Sequence, residues 1–312
     1  MDLAETMLDW ARPITLFEVV PPAADPPENA DRLLKKVKRF RDVADGMSVP
    51  EIVPEGRGES NRVPFRPRVE SRVLAARIRT EWGLDAVVNR VVVLDADPRP
   101  WFEETREKFG IRNLILVGGD SSGMSYPGPG VGEAASLVEE AGLDFVLGGN
   151  SIPCREQEAD RVRAKRRRGI RFFTTQVLLD ANDITGLIRD LNGVEARIFL
   201  TFAPISDPRD LEFLRRLGVD IPADTEDFLL EEKEGRRVAR PDCVSRSIEL
   251  AARVIGHVFE NLPPSPPSVG LMVGHINRRN FETAYEMLKR LRGIYERYVY
   301  AQARARLPRH RP

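Results

Sequence analysis

The sequence predicts an α/β chain folded as a single (β/α)8 (TIM) barrel, and three observations point to it. Strand-like and helix-like patterns alternate from end to end, about eight times over 312 residues. Several strands are continuous apolar runs, such as Asn113-Leu-Ile-Leu-Val117, as parallel strands covered on both faces should be. Polar groups recur where those strands end: Glu18, Asp95, Asp120, Asn150, Gln176 and Asn277. That is the face on which such barrels collect their ligand groups. A doubly wound open sheet is the alternative. No linker or internal repeat divides the chain, so one domain over 1–312 is expected, ending in a basic tail at 293–312.

In order, strand 14–20 precedes helix 26–44, where Ala30, Leu33, Leu34, Val37 and Phe40 fall at helical spacing. A short strand, 46–49, leads into a proline-punctuated loop, 50–67, of the length usual for functional lids. Helix 69–82 follows, then the valine-rich strand 86–94 and helix 98–109, whose first turn suits Pro98. Strand 113–117 runs through a glycine-rich loop to helix 132–141. Strand 143–148, helix 155–168, strand 170–177, helix 181–192 and strand 196–203 continue the alternation. Asp207 is placed to cap helix 208–217. An irregular or helical piece, 224–234, and helix 242–260 add extra helices near the C-terminus. Pro263-Pro264-Ser265-Pro266-Pro267 stops the latter before strand 268–273 and helix 279–292, after which the Arg-rich tail is expected to fray.

Composition narrows the function classes. Hydrophobic residues make up 42% and charged residues 31%, a globular balance. Lys+Arg and Asp+Glu both number 48, so the basic excess of a nucleic-acid binder is missing. The two cysteines, Cys154 and Cys243, and three histidines, His257, His275 and His310, show no metal-ligand spacing, which argues against a structural zinc. Residues 1–12 carry Asp2, Glu5 and Asp9 and do not read as a signal peptide. No run is as long as a membrane span, so a cytoplasmic protein with no membrane partner is expected.

The most pointed stretch is Thr15-Leu16-Phe17-Glu18-Val19-Val20-Pro21-Pro22. It puts a carboxylate at the end of an apolar strand and then stops the strand with two residues that donate no backbone hydrogen bond. A charge there is costly to bury unless paired, so the group is either a cap for a neighbouring helix or a ligand-site acid. Taken singly, the other strand-end groups read as caps or turn residues, Asp95 and Asp180 above all. Gly118-Gly119-Asp120 lacks the spacing of a dinucleotide fingerprint, and Gly128-Pro129-Gly130-Val131-Gly132 lacks the Lys-Ser/Thr of a P-loop. The basic run Arg161–Arg168 could hold anions but reads first as a solvated helix face.

Together, the strand ends resemble the methylenetetrahydrofolate reductase family over roughly residues 14–291. Phe17-Glu18-Val19-Val20-Pro21-Pro22 is similar to its Phe-Glu-x-x-Pro-Pro, and Gly118-Gly119-Asp120 stands at its Arg-Gly-Asp. Thr175-Gln176-Val177-Leu178-Leu179-Asp180 matches Thr-Gln-Phe-x-x-Asp. Pro204-Ile205-Ser206, Gly218-Val219-Asp220-Ile221-Pro222 and Ile276-Asn277-Arg278 match later motifs in the same order. The resemblance implies a barrel that reduces a methylene-tetrahydropterin to its 5-methyl form with hydride from NAD(P)H, in one-carbon metabolism leading to methionine. It implies Glu18 as the general acid that opens the folate's five-membered ring to an iminium ion. Gln176, Asp120 and Asn277 would contact the pterin.

The departures concern the family's flavin, FAD. Gly118 replaces a flavin-contacting Arg, with Gly119 beside it. Asn89-Arg90 occupy the place of a flavin-contacting His, and Asn150-Ser151 that of a Tyr-Pro. Lys165, aligned with a flavin phosphate contact, is kept. The pattern is similar to the flavin-independent branch. The expectation is therefore an enzyme, possible as a homo-oligomer, that purifies with little or no flavin. The alternative is a catalytically silent pterin-binding barrel or a subunit of a larger reductase complex.

Overall fold

The computed structural model describes residues 2–54, 66–119, 125–274 and 278–306. The strands are β1 (Thr15–Glu18), β2 (Gly46–Val49), β3 (Ala86–Val91), β4 (Asn113–Val117), β5 (Val146–Ser151), β6 (Ile170–Val177) and β7 (Arg197–Phe202), then β8 (Leu230–Lys233), β9 (Arg236–Ala239) and β10 (Ser268–Gly274). Eight of them close a parallel barrel in the order β1-β10-β7-β6-β5-β4-β3-β2, and β8 pairs with β9 alone. The (β/α)8 barrel expected from the alternation is the observed fold.

The helices are α1 (Leu3–Leu8), α2 (Glu28–Val37), α3 (Ser71–Trp82), α4 (Arg99–Glu107), α5 (Val131–Glu140), α6 (Glu158–Arg167), α7 (Asn182–Asp190), α8 (Pro208–Arg216), α9 (Ala223–Leu229), α10 (Cys243–Glu260) and α11 (Phe281–Arg306). As expected, Asp207 caps α8: its carboxylate accepts from the Arg209 N–H at 2.7 Å, with Pro208 in the first turn.

Four elements differ from expectation, each for a local reason. Segment 26–44 is α2 followed by a 3-10 turn, Lys38–Asp42. Strand 86–94 stops at Val91, because the Val91 N–H is taken by the Glu51 carboxylate at 2.7 Å; Val92–Leu94 form a 3-10 turn. The piece at 224–234 is α9 plus a β8–β9 hairpin, which turns on Glu234 and Gly235, both at positive φ (51° and 72°). Two such residues in a row are the signature of the tight hairpin turn whose twist matches its strands. The tail does not fray at 293: α11 runs on to Arg306.

Contacts divide the described chain into two units. The first spans the described parts of Met1–Glu5, Phe17–Asn150 and Ala164–Arg171; the second those of Thr6–Leu16, Ser151–Arg163 and Phe172–Pro312. In the first, Phe17 and Phe40 pack with ring centroids 4.0 Å apart, so the odd face of β1 looks outward to the turn after α2. Glu18 therefore shares the opposite, interior face.

In the second unit Phe172 and Phe199 meet edge-on at 6.0 Å. Tyr295, fully buried, donates to the Val269 carbonyl at 2.8 Å and accepts from the Ile14 N–H at 3.0 Å, which anchors the extended α11. Arg197 at the start of β7 is fully buried. Its guanidinium donates to the carbonyls of Thr6, Met7, Asp9 and Arg12. These carbonyls lie at and just beyond the α1 C-terminus, where a cation is favoured.

Candidate functional site

In the first unit the site is built around Glu18. The Pro21-Pro22 stop gives the chain after β1 carbonyls without donors, and the segment returning from the 50–67 loop supplies the donors. The Pro22 carbonyl accepts from the Val69 N–H at 3.0 Å, and the Arg68 guanidinium donates to the Pro21 carbonyl at 3.3 Å. The Ala24 N–H donates to the Pro67 carbonyl at 2.9 Å. Glu18 is thereby held at a laced strand end. Burial pushes its carboxyl from 4.5 up to about 7, so that it carries a transferable proton near neutrality.

Asn89, on β3, is half-buried, and its Oδ1 has no hydrogen-bond partner among the described residues. It lines a cavity of about 320 Å³ together with Ile52, Val53, Pro54, Val69 and Trp101. The charged Glu51, Arg68, Glu70 and Arg72 line the same cavity, and an acceptor left without a partner beside it suits an N–H donor of a ligand. Arg90 is committed elsewhere. It donates to Glu51 at 2.7 Å and to Asp95, and its guanidinium lies 4.8 Å from the Trp101 ring centroid. The buried Arg72 guanidinium lies 4.8 Å from the same ring. Sequence reasoning missed this network. Glu51 sits directly after β2, but its partner is far away in sequence.

Gly118 and Gly119 follow β4. A side chain at Gly119 would strike the Tyr126 ring, its Cβ lying 2.2 Å from the nearest carbon, so the glycine lets the ring close over the backbone. Asp120 lies outside the described residues. The loosely phosphate-loop-like stretch has its helix end already filled: the Gly130 N–H donates to the Glu133 carboxylate at 2.8 Å, placing an acid where a phosphate would have to bind. Asn150 and Lys165 are brought together, the ammonium donating to the Asn150 carbonyl at 2.8 Å; the Asn150 side chain is exposed.

In the second unit Gln176 sits near the end of β6. Its Nε2 donates to the Leu217 carbonyl at 3.2 Å, at the C-terminus of α8. Asp180 accepts from the Asn182 N–H at 2.6 Å, but it lies one residue before the α7 N-cap, Ala181, so it closes a turn and is not the helix cap expected of it. Asp95 pairs with Arg90 and accepts from the Asp97 N–H at 3.2 Å, which is a turn rather than a helix cap. Ser206 is tied to Asp210 through both its N–H and its hydroxyl, at 2.8 and 2.6 Å. The buried Asn280, which sequence reasoning passed over, donates to the Pro204 carbonyl at 3.3 Å. Asn277 and His275 lie outside the described residues.

The remaining candidates take the plainer readings. On α6, Arg163 pairs with Asp160 and the Asp190 carbonyl, and Arg161 and Arg167 face solvent. Cys154 is exposed. Cys243 is buried, donates to the Ile205 carbonyl at 3.4 Å, and has its thiol pushed by burial up to about 11, beyond nucleophilic use at neutral pH. Among the described residues no cluster of three or more His, Cys, Asp or Glu side chains could hold a metal ion. No described helix is long and apolar enough to cross a membrane.

No protein-family model matches the sequence, and no curated protein matches it. The likeness is in structure. One solved chain, an uncharacterized protein from Clostridium thermocellum that binds two copies of 5-methyl-5,6,7,8-tetrahydrofolic acid, superimposes with a TM-score of 0.71 at 17% identity. The match covers 94% of this chain and 99% of that one. At that identity it is the fold that is shared.

Proposed function

We propose that this protein binds a tetrahydropterin of the folate class at the C-terminal end of the barrel and reduces its methylene form to the 5-methyl form. The observation that carries the reading is Glu18. It is a carboxyl at a strand end, kept protonated near neutrality by burial, in the one stretch that most closely resembles the reductase family. The folate bound by the structurally similar Clostridium thermocellum protein supports the same ligand class.

In this reading Glu18 delivers its proton to a nitrogen of the five-membered ring, and the adjacent carbon–nitrogen bond breaks to leave an iminium carbon. Hydride from NAD(P)H adds to that carbon, and NAD(P)+ departs. In the first unit Asn89 Oδ1 is an acceptor for a pterin donor; for Gln176, whose Nε2 is bonded to the Leu217 carbonyl in the second unit, the pterin contact is what the resemblance implies. Asp120 and Asn277 keep the pterin contacts that the resemblance implies.

The residues present do not fit a flavin dinucleotide. Gly118 offers no guanidinium, Glu133 occupies the α5 N-terminus, Arg90 is held by Glu51 and Asp95, and Lys165 is bonded to a backbone carbonyl. Hydride is therefore proposed to pass directly from the nicotinamide. The same observations favour a second reading, a pterin-binding barrel that is silent alone or is a subunit of a larger reductase.

The test is NAD(P)H oxidation by the purified protein with methylenetetrahydrofolate and with a methanopterin analogue, together with calorimetric titration of 5-methyltetrahydrofolate and size analysis. Turnover by a lone homo-oligomer is expected. Binding without turnover selects the second reading, and neither binding nor turnover overturns both.

A further inference from the structure

A cavity of about 220 Å³ lies at the N-terminal ends of β3 and β4, where Ala86 begins one strand and Asn113 the other. Glu18 and Asn89 lie toward the other end of their strands, so this cavity is separate from the site around them. All its lining residues belong to the first unit. Four of them are charged, Asp2, Arg79, Asp85 and Arg112, and each is engaged. Asp2 accepts from the Ala4 N–H at 3.1 Å and pairs with Arg112. Asp85 accepts from the Leu3 N–H at 3.4 Å. Arg79 donates to the carbonyls of Gly110 and Phe109 at 2.5 and 2.6 Å, and Arg112 donates to Asp144 at 2.7 Å. Two acids and two bases leave the lining without net charge. A charged ligand would lose its hydration there and meet no counter-charge in return.

Two polar atoms of the lining residues are left over. Asn113 is 2% exposed, and its Oδ1 has no hydrogen-bond partner among the described residues. Arg112 Nε, a buried N–H donor, has none there either. A buried acceptor and a buried donor on consecutive residues, both unpaired, are costly to the fold and call for a partner. One water could satisfy such a pair, but a water takes up only about 30 Å³ and the cavity is several times larger. The apolar part of the wall is Ala75, Ala86 and Ile111. We infer that this cavity is a binding site for a small uncharged lactam, a planar ring whose amide presents N–H and C=O along one edge. The ring N–H donates to Asn113 Oδ1, the ring carbonyl accepts from Arg112 Nε, and the body of the ring lies against the apolar wall. The paired charges disfavour an ion, and the two unpaired atoms disfavour a purely apolar ligand. None of this depends on what the protein does at Glu18.

The probe is uracil, titrated into the full-length protein and followed by ligand-detected NMR, with 1,3-dimethyluracil as the comparison that keeps the ring and loses both N–H donors. Uracil should saturate with a Kd of about 1 mM, ordinary for a ligand that small. Dimethyluracil should bind at least about tenfold more weakly, because it leaves Asn113 Oδ1 unpaired. Asn113→Leu removes the acceptor, and Arg112→Lys removes Nε while keeping the charge that pairs with Asp2. Each should weaken uracil about tenfold, the worth of one hydrogen bond. Should Asn113→Leu fail to fold, Arg112→Lys decides. Asn89→Leu, at the far end of β3, should leave the Kd unchanged. Three results overturn the inference. One is no saturation below about 10 mM, which means that the cavity holds water only. Another is a Kd within about twofold of wild type when Arg112 or Asn113 is replaced. The third is loss of binding in Asn89→Leu, which places uracil at the other end of the strand.

Discussion

Glu18→Gln should weaken the activity and strengthen the fold, and the second effect can be worked out from the structure. In the unfolded chain the carboxyl titrates near 4.5; in the folded protein burial raises it to about 7. Below the lower value it is protonated in both states and carries no penalty. As pH rises through the higher value the folded protein must ionise a half-buried group whose surroundings disfavour the anion, and stability is lost. By about pH 8 the loss is complete and amounts to about 3 kcal/mol. Glutamine never ionises, so the variant does not suffer this loss.

The assay is denaturant unfolding of both proteins at about pH 4.5 and about pH 8. The difference between the two pH values matters more than either alone, because any fixed cost of burying the amide cancels. The variant should gain about 3 kcal/mol on the wild type across that window. Parallel stability curves would mean that Glu18 is solvated or paired, and the argument for a neutral strand-end acid would fail. On the activity side, kcat should fall by about a hundredfold to ten-thousandfold in the variant. In the wild type it should decline as pH rises above about 7, where the acid is spent before it meets substrate.

Arg197→Met should destabilise the protein by about 3 kcal/mol, read by chemical denaturation, since it removes the buried donor shared by the carbonyls of Thr6, Met7, Asp9 and Arg12. Gly128→Ala should cost about 2 kcal/mol in the same measurement, because its Cβ would lie 2.3 Å from the backbone oxygens of Val92 and Asp95. Gly130→Ala, whose Cβ would meet nothing closer than 3.6 Å, is the near-neutral control. The freshly purified protein should be colourless; a yellow preparation with stoichiometric flavin reducible by NAD(P)H would return it to the flavoenzymes.

The barrel was legible because its signals are local and repeated. β4 and β7 are apolar runs buried along nearly their whole length, and no packing detail is needed to read them. The β8–β9 hairpin was not, because its residues are mostly charged and half or fully exposed, so no alternation marks it. The extension of α11 hid for a related reason: among its arginines only a few residues, Tyr295 chief among them, tie it down. At the site, Glu18 could be read from the two prolines that follow it. The fate of Arg90 could not, since Glu51 lies on another loop and only the pairing of β2 with β3 brings them together.

The strand-end acid and the want of free phosphate donors are compatible because they depend on different parts of the first unit. The raised proton affinity of Glu18 follows from burial at the end of β1, a strand end held by the bonds from Arg68 and Val69 to the carbonyls of Pro21 and Pro22. None of these passes through Gly118, Glu133 or Lys165. A chain could therefore lose the donors that a dinucleotide needs without any change in its ability to protonate a ring nitrogen. The reverse does not hold: solvating the β1 strand end would return Glu18 to an ordinary carboxylate, ionised at neutral pH, whichever cofactor the protein used. The stability of Glu18→Gln against pH is thus the measurement on which the acid stands or falls, and the colour of the protein bears on the hydride donor alone.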